Sequence, residues 1–89
     1  MLFVSLYSIP PENRNAAQEK FKQAGGGPPP GVKMIGRWHS AGGNRGVTIF
    51  EADDIQAVAQ WAQQWSDLIS FDIYPVLDDE AFGKLLTSS

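Results

Sequence analysis

Three observations predict an α+β fold of ferredoxin-like type, β-α-β-β-α-β with a helical tail. Four segments carry strand-like alternation of apolar residues, and two amphipathic helical stretches separate the first strand from the second and the third from the fourth. A glycine-rich turn joins the middle two strands as a hairpin. Two β-α-β halves joined in this way give a four-stranded antiparallel sheet with both helices on one face and a short C-terminal helix beyond it. A chain of 89 residues has room for one hydrophobic core, so residues 1–89 are expected to form a single domain.

Met1 to Ile9 alternates Leu2, Val4 and Leu6 against Phe3, Ser5 and Tyr7, as a strand does. Pro10 and Pro11 end it and suit a helix start, and Ala17, Phe21 and Ala24 follow at helical spacing. Gly25 to Gly31, three glycines, three prolines and a glycine, reads as a surface connection. Val32 to Ser40 is the second strand, with Met34 and Trp38 alternating against Ile35, Arg37 and His39. Gly36 interrupts it at a position where a bulge would reverse the facing of the residues beyond. Ala41 to Arg45 is a turn, and Gly46 to Ala52 returns as the third strand.

Asp53 is expected to cap the next helix, with Gln56 reaching back. Val58, Trp61, Ala62, Trp65 and Leu68 form its apolar stripe. Phe71 to Val76 is the fourth strand, where Pro75 predicts a sheet edge. Asp78 and Asp79 precede a terminal helix whose Phe82, Leu85 and Leu86 are expected to face inward. The alternation groups Phe3, Tyr7, Trp38, Phe50 and Tyr74 on the sheet face away from the helices. An apolar patch of that size predicts an interface, and two such sheets packed face to face would form an isologous homodimer.

Composition narrows the function classes. Cys is absent, which excludes disulfides, thiolate metal sites and a cysteine nucleophile and fits a reducing, cytoplasmic setting. The apolar start has neither a basic leader nor a small-residue cleavage site, and no apolar run is long enough to span a bilayer, so no membrane association is expected. Net charge is −3 and the 7 Lys and Arg residues do not cluster, which argues against a nucleic-acid partner. No cofactor motif is present: Gly25 to Gly31 and Gly42 to Gly46 match neither the dinucleotide fingerprint nor the P-loop. Asp53-Asp54 and Asp78-Asp79-Glu80 precede helices, where capping explains them better than a metal does.

His39 is the one histidine and the only candidate for proton transfer, since imidazole ordinarily titrates nearest neutrality. Arg37, two residues away, suits a two-pronged contact to an anionic group, or a surface ion pair with Glu51 or Asp72. Trp38, Tyr7, Phe50 and Ser5 would line a pocket between two paired sheets, where filling the interface and binding a ligand compete evenly. Trp61 and Trp65 fit core packing better than ligand stacking. The candidate ligand-binding set is therefore Tyr7, Arg37, Trp38, His39 and Phe50.

Four segments together, Tyr7 to Arg14, Gly36 to Ser40, Phe50 to Asp54 and Trp61 to Trp65, resemble the small bacterial proteins of domain of unknown function 3303. The resemblance runs over nearly the whole chain and implies a ferredoxin-like domain of the dimeric α/β-barrel kind. It implies no activity and brings no catalytic residues, because an architecture of this breadth serves enzymes and ligand sensors alike. The expectation is a non-catalytic dimeric module for a small molecule or a protein partner. The alternative is a small cofactor-independent isomerase or monooxygenase acting on an apolar or aromatic substrate.

Overall fold

In the computed structural model, which describes residues 1–88, the strands are β1 (Leu2–Ser8), β2 (Val32–His39), β3 (Arg45–Ala52) and β4 (Ser70–Val76). Helix α1 (Arg14–Ala24) follows a 3₁₀ turn at Pro11–Asn13, α2 (Ile55–Gln63) joins β3 to β4, and α3 (Asp79–Thr87) is the tail. All pairings are antiparallel, in the order β2-β3-β1-β4. This is the predicted α+β arrangement, with β1 and β3 central. Pro75 does lie on an edge strand, since β4 pairs with β1 alone.

The core forms where the sheet's largest rings meet α2. Phe3 and Phe50 are in register across β1 and β3 and stack with centroids 5.4 Å apart. Trp61 meets Phe50 edge-on at 5.3 Å. Val32, Ala52 and Val58 complete the buried cluster, with Ala57 and Ile73 packed against it.

The facing of the aromatic residues differs from the expectation. Phe3, Tyr7 and Phe50 point toward the helices, and only Trp38 and Tyr74 lie on the open face. That open face is chiefly aliphatic, with Val4 paired between Ile49 and Tyr74 and Leu6 opposite Val47. Both rows of β1 are apolar, so alternation alone does not say which faces inward. The inward row is the ring-bearing one, with Phe3 stacked on Phe50 beneath Trp61.

Three smaller corrections concern the helices. Asp54, not Asp53, caps α2, its Oδ1 accepting from the Gln56 backbone N–H at 2.9 Å. Asp53 instead lies 3.7 Å from the Met1 amino group. Helix α2 stops at Gln63, short of the predicted stripe, and continues as hydrogen-bonded turns in which Leu68 and Ile69 N–H groups reach the Trp65 carbonyl. Lys20 ties this end to α1: its ammonium donates to the Gln64 carbonyl and sits 4.8 Å over the Trp65 ring. Trp65 therefore stays buried although it lies outside the helix.

In α3, Asp78 caps as expected, accepting from the Ala81 N–H at 2.8 Å. Its Phe82, Leu85 and Leu86 are exposed instead of inward-facing, because the core is already closed over by α2 and α3 has no facing element in a single chain.

Phe50, only 1% exposed, is the keystone of the cluster. Phe50→Ala is expected to lower unfolding free energy by roughly 3–5 kcal/mol, as large-to-small changes in packed cores do. Urea denaturation measures this, and a loss below about 1 kcal/mol would show that the ring is not packed as described.

Candidate functional site

Beyond the aromatic cluster the inward side chains become smaller and more polar. Along β3 they run Ala52, Phe50, Thr48 and Gly46, so space opens toward the C-terminal end of β1. Helix α1 buries only Ala17 and does not fill it. The result is a cavity of about 420 Å³ between sheet and helices, walled by Phe21, Trp61, Trp65 and Phe71 and floored by the strands. Its size and apolar walls suit a small organic molecule.

Pairing register lays out the floor in rows. One row runs Ile73, Ser5, Thr48 and Arg37 from β4 to β2, and the next runs Phe71, Tyr7, Gly46 and His39. Arg37 and His39 reach the inward face because β2 slips register between Met34 and Gly36. The bulge sets Gly36 opposite Ile49, and strict alternation resumes with Arg37 inward, Trp38 outward and His39 inward. The Trp38 ring folds over Gly36 on the open face, where any Cβ at Gly36 would meet it at 2.5 Å.

Gly46 brings the two ends of its row together. Tyr7 and His39 stand on strands either side of β3, and the Tyr7 hydroxyl and His39 Nδ1 are hydrogen-bonded over the glycine. A Cβ at Gly46 would lie 2.3 Å from the Tyr7 ring and 2.5 Å from the Trp38 carbonyl. The phenol donates to a neutral imidazole, and an imidazolium N–H donates to the phenolic oxygen, so the pair persists in either state.

Arg37 is held from the other side. Its Nη1 donates to the Gly26 carbonyl at 2.7 Å, and its guanidinium carbon lies 5.0 Å from the Phe21 ring centroid. Gly26 is buried, and a Cβ there would come within 2.7 Å of both Nη1 and the Phe21 ring. The glycine- and proline-rich connection thus contributes an acceptor to the site as well as joining two elements. Phe21 in turn meets His39 edge-on at 5.9 Å. Arg37 makes no ion pair with Glu51 or Asp72, because those residues occupy the open face and Arg37 the inner one.

Burial pushes the Tyr7 phenol above its usual 10.0, against a smaller opposing pull from the Arg37 charge. Burial likewise lowers the Arg37 guanidinium from its ordinary value, opposed by Tyr7. Arg37 remains a cation at neutral pH.

Of the residues singled out from sequence, Tyr7, Arg37, His39 and Phe50 come together on the cavity, along with Ser5. Trp38 does not: it stands 58% exposed on the opposite face. The cavity itself lies under the helices of one chain, not between two sheets, because the ring-bearing row of β1 faces inward. Trp61 and Trp65 belong to both core and cavity wall. Sequence reading missed Phe21, Gly26, Gly46 and Thr48. Thr48 carried a usable signal, since it shares alternation with Phe50 and Ala52, whereas nothing in the sequence singles out Gly26 among its neighbouring glycines.

Among the described residues no three His, Asp or Glu side chains gather where they could hold a metal ion, and no helix is long and apolar enough to cross a membrane. A family model described as "Domain of unknown function (DUF3303)" matches residues 1–89, the whole chain. No curated protein sequence matches it.

Removing the phenol tests the burial of this row. The ionisation present in the wild type and lost in Tyr7→Phe is expected above pH 10.0 in an alkaline absorbance titration. Because folding favours the neutral phenol, its contribution to stability is complete below the unfolded value and is lost as pH rises through the folded one. Wild-type stability should therefore fall more steeply above about pH 10 than that of Tyr7→Phe. A lost ionisation at or below the usual value would mean that the phenol is solvated.

Proposed function

The chain belongs to the domain of unknown function 3303 family, and on that premise we propose that it is a non-catalytic, dimeric module that binds a small apolar or aromatic molecule beneath its helices. The observation that carries this reading is the cavity: ring-walled, about 420 Å³, with a few polar groups gathered on one side. Apolar walls supply most of the binding free energy, and sparse polar groups fix orientation.

The dimer rests on the open sheet face. Leu6 is 42% exposed, Trp38 58%, Ile35 54% and Tyr74 42%, around half-buried Val4, Val47 and Ile49. A contiguous apolar surface on an antiparallel sheet favours pairing with an identical one through a two-fold axis. The exposed apolar side chains of α3 add a second surface of the same kind.

A catalytic reading draws on the Tyr7–His39 hydrogen bond beside Arg37. In it the phenolic oxygen would take a proton from a bound substrate while passing its own to Nδ1, as an isomerase requires. Turnover of that kind needs a second acid or base facing the substrate, and among the described residues no carboxylate lines the cavity, so we favour binding without turnover.

Native mass spectrometry of protein purified from its own host addresses both parts. A dimer with a reproducible added small-molecule mass is the expected result; a monomer without added mass overturns the proposal. Trp38→Glu should yield monomer or aggregate by light scattering, and an unaltered dimer would show that another surface pairs. Once a ligand is known, His39→Ala separates the two readings. A binding module keeps its fold and changes affinity, whereas an enzyme loses turnover by roughly 100-fold or more.

A further inference from the structure

The charge of the cavity runs against that of the chain. The protein has 10 Asp and Glu against 7 Lys and Arg, yet among the described residues no carboxylate lines the cavity, whose charged side chains are Lys22 and Arg37, with His39 beside them. Lys22 lies at the rim, 3.8 Å from Glu19. Among the described residues Arg37 has no carboxylate partner; its contacts are the Gly26 carbonyl and the Phe21 ring. A guanidinium has five donors in a planar fork, and a partly buried cation without a counter-ion is costly.

Two hydroxyls lie in the same row as Arg37. Ser5 and Thr48 are each 6% exposed and face the cavity, and among the described residues neither hydroxyl has a side-chain hydrogen bond. No buried side-chain oxygen is left unsatisfied, so these two hydroxyls are open to the cavity space, where a polar ligand atom can meet them. The site therefore offers one planar cation and two hydroxyls at its polar side, and aromatic rings elsewhere.

We propose that the cavity selects an organic monocarboxylate, its carboxylate on Arg37 and the row's hydroxyls and its aromatic or aliphatic body against Phe50, Trp61 and Trp65. This rests on the reading of the cavity as a ligand site. A carboxylate matches the guanidinium fork in shape and in charge, whereas a phosphate dianion would leave one negative charge unanswered with Lys22 already beside Glu19.

The test compares 4-phenylbutyrate with the isosteric, neutral 4-phenylbutyramide by calorimetric titration of the full chain. Displacement of the neutral dye N-phenyl-1-naphthylamine reports occupation of the cavity independently. The acid is expected to bind about tenfold or more tighter than the amide, as a charge-assisted hydrogen bond provides. Arg37→Gln should erase that preference while the dye still binds, and Arg37→Lys should restore part of it. Equal displacement of the dye by acid and amide in the wild type would overturn the carboxylate assignment and leave the cavity reading standing. Failure of dye, acid and amide alike would overturn both. The wild-type ratio decides the matter even if Arg37→Gln fails to fold.

Discussion

The packing of Phe3, Phe50 and Trp61 is the interaction on which the rest of the structure depends. It joins the two central strands to α2 at one end of the sheet, where Val32, Ala52 and Val58 are buried with it. A domain this small has few other buried large side chains to hold its helices in place. With α2 fixed there, and α1 tied to its end through Lys20, the two layers remain apart at the other end of the strands. The cavity is the space that results, and its size follows from Thr48 and Gly46 succeeding Phe50 on the inner face of β3.

Two backbone features then turn that space into a site with a polar side. The register slip in β2 directs Arg37 and His39 inward, and the missing side chain at Gly46 lets Tyr7 and His39 meet across β3. Neither feature adds a functional group. Each changes where existing groups point, as a bulge does to the strand it interrupts. The long connection between α1 and β2 acts in the same way, since the Gly26 carbonyl orients Arg37 and its lack of a Cβ leaves room for the guanidinium.

The two faces of the sheet are consequently unlike in chemistry. The inner face combines rings with hydroxyls, a cation and an imidazole, whereas the outer face has an aliphatic centre with Trp38 and Tyr74, edged by Lys33, Glu51 and Asp72. On the proposed reading, a small molecule and a second chain would meet opposite sides of the four strands. A substitution on one side need not disturb the other, because successive residues of a strand point to opposite faces.

The element order, the hairpin, the edge position of Pro75 and the four-stranded antiparallel sheet are all legible in the order of the residues. These follow from local physics: period-two and period-3.6 patterning, proline's missing donor and the turn preference of glycine. The sequence also singles out Tyr7, Arg37, His39 and Phe50, because few residues in the chain carry chemistry at all. Which face of β1 turns inward is settled only by packing between elements, since Leu2-Val4-Leu6 and Phe3-Ser5-Tyr7 are both acceptable to a core until the depth beneath α2 is known. The same holds for Trp38, because the extra residue between Met34 and Gly36 turns it to the open face and its neighbours Arg37 and His39 to the inner one. Alternation is a local property, but register is fixed between strands, and a one-residue slip exchanges every side chain beyond it from one face to the other.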